Sequence, residues 1–535
     1  MRSCPRRSLS NAEPFVEVLP GNILFPGIAV SGKVYHTWAR SDGKVDMGSH
    51  RIGTLKALVA SVTCIGLLSM AGACGMDGDE QPTGTATTGL GSVAIFTPSD
   101  GITLSQHTPL NKWAKLVPSI KSELVEQGFT AKQISTHTDG NLDKQSQDIQ
   151  DYVVSRAAEA SSKRSSTGSA TTLIVAPCTS TDSTTTQYGD YVTNPLDSES
   201  SSNDADVAAD QRMTSALTLA RKSGMHVIVL SNDIGGFSPD AFVQMSTARS
   251  IGEIQAKQLV SKLQLDSASA TNPKTIEVFL PVGSAKDEDQ SVSMAFAKEA
   301  FKGIWNVLGP YFKSGAVVSA SDTLNASTSA TSWSSVAFTA SSDNDVKQEL
   351  DSRLEPQGAT KPVHIDGIIA MNDYIASVIV QELDALGYEG SSAEINPSIS
   401  ILGIVGNLAG HKDLTKSAVP SPAGLGQDDT PSEASLQWPI VTGYGAYTDM
   451  LPDIVNGKLW MTALEDRAQL ATGIAKVSRQ LASGGDVTAL QSVSKTTVNG
   501  KSVPTLTQSL IAVSASNLKS ELIDTGYVTL ADAGL

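Results

Sequence analysis

Two short apolar runs decide the fold, TLIVA at residues 172–176 and HVIVL at residues 226–230. Between them, residues 206–223 have the apolar spacing of a helix, and Gly224 follows directly as a helix-ending glycine. A fully apolar strand is typical of a parallel sheet that is covered on both faces. Strand, helix and strand in succession therefore predict an α/β fold.

The same alternation extends in both directions along the chain. Further strands are predicted at residues 92–96, 275–280, 315–318, 367–370 and 439–442, and further helices at 112–127, 143–160, 251–263, 291–308, 343–354, 372–386 and 468–482. Two successive α/β units predict two Rossmann-like lobes with a crevice between them. Ligands of such sheets lie outside the carboxyl ends of the strands, so the functional residues are expected there.

Two stretches interrupt the alternation. Residues 179–204 are rich in Ser, Thr and Asp, which predicts a surface loop. Residues 403–437 carry three prolines with Gly and Asp, and are interpreted as an inserted surface excursion. A functional lid is the alternative for such long loops.

The N-terminal part has the pattern of an export signal. Arg51 and Lys56 precede an apolar run at 57–70, and AGAC follows at 71–74. The run is about 14 residues, too short to span a bilayer comfortably. Cys74 after small residues resembles a bacterial lipobox, although Ala71 stands where that motif usually has Leu; an ordinary signal peptide with a chance cysteine is the alternative.

This signal divides the N-terminal region into three predicted parts. Residues 1–46 are interpreted as a leader that is absent from the native protein, residues 47–73 as a lipoprotein signal peptide, and residues 74–90 as a lipidated, flexible tether. In the exported body only Cys178 remains, which excludes an internal disulfide there and predicts a buried small residue.

Composition and missing motifs exclude several classes of function. A net charge of −16 argues against a nucleic-acid partner. The sequence contains no phosphate-binding P-loop motif, no Cys/His cluster with metal-ligand spacing and no G-x-S-x-G motif. We therefore expect no catalysis, no cofactor and no metal.

Several segments, in order and spacing, resemble one family. They are GSVAIFTP at 91–98, KW at 112–113, IEVFL at 276–280, AMNDY at 370–374, LGY at 386–388, PIVTG at 439–443, NG at 456–457, LED at 464–466 and GYVTLAD at 526–532. Together they resemble the type I solute-binding proteins of ABC importers, in the xylose, galactose and multiple-sugar branch. The resemblance implies the periplasmic-binding-protein type I fold, with two lobes joined by a three-crossing hinge.

The resemblance also implies where the chain passes between lobes. The crossings are expected near residues 233–242, 459–462 and 484–488. The N-terminal lobe would then comprise residues 90–232 plus 462–485, and the C-terminal lobe residues 233–461 plus 486–535.

The ligand-binding residues implied by the resemblance lie in the loops between the lobes. They are Lys112, Trp113, Ser231, Asn232, Asp289, Gln290, Asn372, Asp373, Tyr444 and Asp466. An aromatic face covers the C–H side of a sugar, and planar polar groups satisfy its hydroxyls. Each position also has a structural alternative: a core residue for Trp113, a solvated helix start for Lys112, a helix N-cap for Asp373 and a helix-start carboxylate for Asp466.

Three positions depart from the family pattern. Ser231-Asn232 stands where the family has Asp-Arg, Thr247-Ala248 where it has Asp-Asn, and Tyr444-Gly445 where it has Gln-Asp. Charged hydrogen bonds, which are the stronger kind, are lost at these places. A pocket with fewer charges would also suit an oligosaccharide, a glycoside or another polar metabolite.

The function expected from the resemblance is an extracytoplasmic, membrane-anchored solute-binding lipoprotein. It would be a monomer that closes over a sugar or sugar-like solute and is presented to ABC permease subunits. One alternative is a sensor whose closed form is read by a membrane receptor, and another is a binder of a non-sugar polar metabolite. A surface enzyme or adhesin is a third class, disfavoured by the missing catalytic motifs.

Overall fold

The computed structural model describes residues 89–100, 108–162, 170–179, 187–193, 204–284, 290–355, 362–392 and 436–535. The predicted leader, the signal peptide, Cys74, most of the tether and nearly all of the predicted insertion lie outside these residues. Within them, no helix combines the length and the apolar character needed to cross a membrane.

The described residues form strands and helices in alternation. The strands are β1 Val93–Pro98, β2 Ile134–Asp139, β3 Thr172–Val175, β4 His226–Leu230, β5 Ala241–Gln244, β6 Lys274–Val278, β7 Leu280–Val282, β8 Val317–Val318, β9 Ala337–Thr339, β10 Gly367–Ile369, β11 Ile440–Thr442, β12 Met461–Glu465, β13 Val493–Val498, β14 Lys501–Thr507 and β15 Leu510–Ser514. The α-helices are α1 Trp113–Glu126, α2 Leu142–Ser162, α3 Asp204–Lys222, α4 Ala248–Lys262, α5 Gln290–Ser314, α6 Asp343–Leu354, α7 Asp373–Ala385, α8 Leu451–Asn456 and α9 Arg467–Ala482.

The first lobe is built on a seven-stranded sheet in the order β13-β14-β5-β4-β3-β1-β2. Neighbouring strands are parallel except for β13 and β14, which form a hairpin. Helices α1 and α9 cover one face, and α2 and α3 cover the other. In β3, Ile174 packs under the first pair while Leu173 and Val175 pack under the second. Burial on both faces explains the unbroken apolar run that predicted this strand.

The second lobe has a six-stranded sheet in the order β15-β12-β11-β10-β6-β8, with β15 antiparallel to β12. Helices α4 and α5 cover one face, and α6, α7, α8 and the C-terminal segment cover the other. Helices α4 and α5 approach closely: a Cβ added at Gly303 would lie 2.1 Å from the carbonyl oxygen of Arg249. The predicted α/β fold with two Rossmann-like lobes is confirmed.

The strands of the two sheets place the crossings further along the chain than predicted. β5 belongs to the first sheet, so the first crossing falls after it, at residues 245–247. β12 belongs to the second sheet whereas α9 packs on the first sheet, so the second crossing falls between them, at residue 466. The third falls at residues 508–509, between β14 and β15. The lobe boundaries predicted from the resemblance are therefore wrong for residues 233–244, 462–465 and 486–507.

The reason for the largest difference is a β-hairpin. β13 and β14 are joined by Asn499-Gly500, both with positive φ, 47° and 73°. Asn-Gly between two alternating stretches is a strong hairpin signal, because both turn residues must adopt positive φ. β14 then pairs in parallel with β5, which adds the hairpin to the edge of the first sheet.

A buried ion pair ties the second sheet to its surroundings. Glu277 of β6 lies 3.5 Å from Arg353 of α6, and both side chains are almost completely buried. The guanidinium of Arg353 also donates to the carbonyl oxygens of Val278 and Val336 and lies 4.2 Å above the ring of Phe279. Glu277 in turn accepts from the hydroxyls of Ser319 and Ser321, so each charge has several partners, as burial of a charge requires.

Candidate functional site

The carboxyl ends of the strands in both sheets meet between the lobes, where ligands of α/β sheets bind. Residues 108–112, which precede α1, reach the second lobe: Leu110 packs into its hydrophobic core, and the Leu110 N–H donates to the carbonyl oxygen of Gly445 at 2.9 Å. The two lobes are therefore in direct contact at this point.

Residues 187–193, here called the interlobe segment, form a second link. Tyr188 and Val192 pack with the core of the second lobe, whereas Tyr191 packs with that of the first. The Tyr188 ring stacks on Phe296 at 4.2 Å between centroids, and lies 6.3 Å from the ring of Tyr444. The prediction of a surface loop for residues 179–204 is wrong for this part, and its tyrosines were the signal against it.

Lys112 and Trp113 lie beside the interlobe segment, at the start of α1. The Lys112 ammonium forms an ion pair with Asp190 at 2.9 Å, and the other oxygen of Asp190 accepts from the N–H of Trp113. The indole is buried in the first lobe's core, tilted against Tyr191 at 5.1 Å. The structural alternative for Trp113, a core residue, matches these contacts; stacking on a ligand stays a prediction.

A second carboxylate shares this helix start. Asp100 accepts a hydrogen bond from the N–H of Ala114 at 2.6 Å and lies beside Asp190. Burial first, and Asp190 second, raise the pKa of Asp100 to about 7, while Lys112 opposes the rise. Neither aspartate was singled out from the sequence, because a polar loop gives no sign of which of its acids is buried.

Ser231 and Asn232 hold the interlobe segment against the end of β4. The Ser231 hydroxyl donates to the carbonyl oxygen of Tyr191, and its own carbonyl oxygen accepts from Thr193, both at 2.9 Å. The amide of Asn232 donates to the Ser231 hydroxyl at 3.2 Å. Ser231 has φ of 63°, a left-handed conformation that turns the chain at the strand end.

Asn372 and Asp373 are buried at the end of β10. Asn372 caps α7, its side-chain oxygen accepting from the N–H of Ile375 at 2.9 Å. Asp373 accepts from the Thr462 hydroxyl with both oxygens and from the N–H of Tyr447. Burial raises the pKa of Asp373 to about 7. These contacts all lie within the second lobe, so they explain the two residues as scaffold; a ligand role for them stays a prediction.

Tyr444 belongs to a hydrogen-bonded group at the crossings. Its hydroxyl pairs with the hydroxyl of Ser246 in the first crossing, and the Ser246 hydroxyl donates to Glu465 at 2.5 Å. The N–H of Ser246 donates to the same carboxylate oxygen, and Glu465 pairs along the backbone with Leu510 just after the third crossing. Burial raises the pKa of Glu465 to about 7 and that of Tyr444 well above its usual range. The crossings thus converge on one carboxylate.

The remaining residues that were predicted from the sequence are not part of the hydrogen-bonded groups described above. Asp466 caps α9 by accepting from the N–H of Gln469 at 2.9 Å, which is its structural alternative. Gln290 makes one long contact of 3.5 Å to the carbonyl oxygen of Gly283, and Asp289 lies outside the described residues. Cys178 is buried, and burial raises the pKa of its thiol to about 12.

Asn111 and Arg467, which sequence reasoning missed, each have buried side-chain atoms without a hydrogen-bond partner among the described residues. Asn111 is 1% exposed, and both its amide atoms lack a hydrogen bond of ordinary geometry. Its side chain faces the Tyr444 hydroxyl and partly offsets the rise in that group's pKa. Arg467 is 7% exposed; one nitrogen donates to the carbonyl oxygen of Gly526, whereas Nη1 has no partner. Such groups cost about 1–3 kcal/mol each.

These polar groups lie around Tyr191. Its hydroxyl donates to the carbonyl oxygen of Lys112 at 2.6 Å, and burial raises its pKa well above the usual range, with the charge of Arg467 opposing the rise and those of Asp190 and Asp100 adding to it. The described residues hold no cluster of His, Cys, Asp and Glu arranged for a metal ion. The arrangement offers hydrogen-bond donors and acceptors between aromatic rings, which is the chemistry that a polar, uncharged ligand requires.

Comparison with known proteins gives one curated relative. The chain is 25% identical over 322 residues to a multiple sugar-binding periplasmic protein of Azospirillum brasilense, covering 60% of this chain and 71% of the relative. No protein-family model matches the sequence.

Solved structures are also similar. An ABC transporter solute-binding protein from Clostridium phytofermentans with bound β-D-glucose is 17% identical, with a TM-score of 0.45, over 82% of this chain and 99% of that one. A carbohydrate transporter solute-binding protein from Chloroflexus aurantiacus in complex with D-glucose is 18% identical, with a TM-score of 0.45, over 82% and 97%. A Caulobacter myo-inositol binding protein is 16% identical, with a TM-score of 0.38, over 80% and 95%. With its two α/β lobes and its curated relative, the chain is similar to the type I solute-binding proteins of ABC importers, and the resemblance drawn from its sequence is confirmed.

Proposed function

We propose that this protein is an extracytoplasmic solute-binding protein of an ABC importer, which binds a sugar or sugar-like solute between its two lobes without altering it. The observation that carries the proposal is the junction between the lobes. Loops from the carboxyl ends of both sheets meet there around Asn111, a buried amide whose polar atoms lack partners among the described residues. The sugar-binding name of the curated relative supports the same class of ligand.

Hinge closure is the proposed mechanism. Ligand binding would stabilise the arrangement in which the first lobe donates a backbone hydrogen bond from Leu110 to Gly445 and the Tyr188 ring rests on Phe296. These contacts join residues that are far apart in the chain, so separating the lobes would break them together. A ligand that binds only between joined lobes shifts the equilibrium toward that state by its difference in affinity.

The proposed location is supported by the sequence and by the name of the relative, and the proposed partners by the family resemblance. The basic, apolar and small-residue pattern ending at Cys74 supports export and lipid attachment, and the relative is periplasmic by name. We include in the proposal a tether at residues 74–90 and delivery of the solute to membrane-bound permease subunits. Mass spectrometry of the membrane-extracted protein tests the anchor, since peptides from residues 8–45 would refute cleavage at Cys74.

A thermal-shift screen tests ligand binding. The purified body, residues 90–535, is heated with D-glucose, D-xylose, D-galactose, maltose and myo-inositol. At a hundredfold excess over Kd a ligand stabilises by about 2.7 kcal/mol, which raises the melting temperature measurably. A shift that saturates with concentration supports the proposal, and calorimetry then gives the affinity. No shift with any of the five would refute sugar binding.

A further inference from the structure

Asn111 is a buried side chain at the lobe junction whose two amide atoms have no hydrogen bond of ordinary geometry among the described residues; the group it faces is the Tyr444 hydroxyl. Asp373 and Asn372 are equally buried, but each accepts hydrogen bonds from backbone or hydroxyl groups of its own lobe. Both amide atoms of Asn111 lack such bonds. A side-chain amide carries two donor hydrogens and an acceptor oxygen, so this residue leaves both kinds of bonding capacity unused.

The backbone of Asn111 is held rigidly. Its carbonyl oxygen accepts from the N–H of Asp190 at 2.9 Å, and the adjacent Gly189 packs against it with φ of 101°. A Cβ at Gly189 would lie 3.0 Å from the Cβ of Asn111, so this close approach requires glycine. The backbone and Cβ that carry the amide are thus held in position, which is how a pre-organised binding group is placed.

The groups around Asn111 indicate which kind of ligand group could hydrogen-bond to its amide. On one side Lys112 and Asp190 already form an ion pair, and on the other Tyr444 is hydrogen-bonded to Ser246. The Lys112 charge is therefore matched and the Tyr444 hydroxyl already has a partner, so the neutral amide of Asn111 is one of the open polar groups here, together with Nη1 of Arg467. A hydroxyl both donates and accepts, and two adjacent hydroxyls match the oxygen and the nitrogen of one amide.

We propose that Asn111 contacts the ligand directly, accepting a hydrogen bond from one hydroxyl and donating one to its neighbour. This inference rests on the proposed function, because it assigns a residue to the same binding site. The ligand must then present an adjacent pair of hydroxyls to the Asn111 side chain, just before α1.

The test compares two substitutions that each remove a buried, unpartnered polar group. Asn111→Leu replaces the amide by an apolar group with the same branched arrangement of heavy atoms but a larger volume, and Asn111→Ala serves if leucine does not fit. The matched control is Thr172→Val: the Thr172 hydroxyl is also buried without a partner among the described residues, but lies at the start of β3, at the opposite end of the strands from the junction. Melting temperature without ligand and calorimetric affinity for the sugar found in the screen are measured for each.

We expect both variants to be at least as stable as the wild type without ligand, since each loses an unsatisfied group. Asn111→Leu should weaken sugar binding at least about tenfold, whereas Thr172→Val should bind like the wild type. Binding by Asn111→Leu within about twofold of the wild type, or a clear loss of its ligand-free stability, would overturn the assignment of Asn111 alone. A wild-type protein that responds to none of the sugars would instead overturn the proposed function, and this inference with it.

Discussion

Glu465 gives the hinge a dependence on pH that can be measured. Its carboxyl group is completely buried where the crossings meet, and burial raises its pKa from 4.5 to about 7. Between these two pH values the folded protein holds a proton that the unfolded chain has released. The free energy of unfolding contributed by this group is therefore fully present below pH 4.5 and is lost as the pH rises through 7.

The magnitude follows from the two pKa values. Each pH unit between 4.5 and about 7 changes the free energy of unfolding by about 1.4 kcal/mol, so the group should destabilise the protein by about 3 kcal/mol at pH 8.5 relative to pH 4.5. Glu465→Gln removes the titration and keeps the oxygen that accepts from Ser246. The variant should match the wild type at pH 5 and exceed it by up to about 3 kcal/mol at pH 8.5.

Urea denaturation at the two pH values measures this difference, with Glu126→Gln, an exposed position at the end of α1, as the control. Asp373 and Asp100 also have raised pKa values, but they are present in both proteins and their contributions cancel in the comparison. If Glu465→Gln loses stability relative to the wild type as pH rises, the carboxylate is stabilising when ionised and the reasoning fails. The reasoning would also be refuted if the variant and the wild type differed in free energy of unfolding by the same amount at both pH values.

Three further substitutions test close packing and the buried ion pair. Gly189→Ala should weaken sugar binding about tenfold in calorimetry, because φ of 101° is strained for alanine and its methyl group would press on Asn111; an unchanged affinity would contradict this. Gly303→Ala should lower the free energy of unfolding by about 1–3 kcal/mol in urea, since its Cβ would lie 2.1 Å from a carbonyl oxygen of the neighbouring helix; a stability equal to that of the wild type would refute the packing. Arg353→Met should cost about 3–5 kcal/mol in the same assay by leaving Glu277 buried without its cation, and adding Glu277→Gln should restore part of the loss; strictly additive effects would refute the pairing.

The elements that were predicted correctly are those whose own sequence carries the signal. β3 and β4 are buried on both faces, and their composition alone identifies them. β2 was missed because it is an edge strand, where Ser135, His137 and Thr138 are partly or wholly exposed and interrupt the apolar run. The hairpin at Asn499-Gly500 carries a local signal, but its membership of the first lobe depends on pairing with β5, which is more than 250 residues away in sequence.

In the candidate site, too, residues with a local sequence signal were predicted and those that depend on distant contacts were not. Lys112, Trp113, Tyr444 and Asn372 were named from the sequence, and the structure places the first three around the interlobe segment. The segment itself was not predicted, because residues 187–193 lie within a stretch rich in Ser, Thr and Asp. Its tyrosines were a local sign of burial, but the lobe that each of them contacts depends on residues distant in the sequence, and no local pattern records those contacts.

Some buried polar groups at the junction are hydrogen-bonded within the protein and others are not. We expect this difference to distinguish structural residues from ligand-binding residues better than their position in the fold does. Asp373 lies where the resemblance implies a ligand contact, yet its oxygens are occupied by Thr462 and Tyr447. A ligand would have to displace those bonds and would gain little from the exchange. Asn111 has no hydrogen bond of ordinary geometry to displace, so a hydroxyl bound there gains more than one bound at Asp373. If the two residues are changed in parallel, Asp373→Asn should chiefly alter stability and Asn111→Leu chiefly affinity; the reverse pattern would show that internal hydrogen bonding does not predict which residues bind.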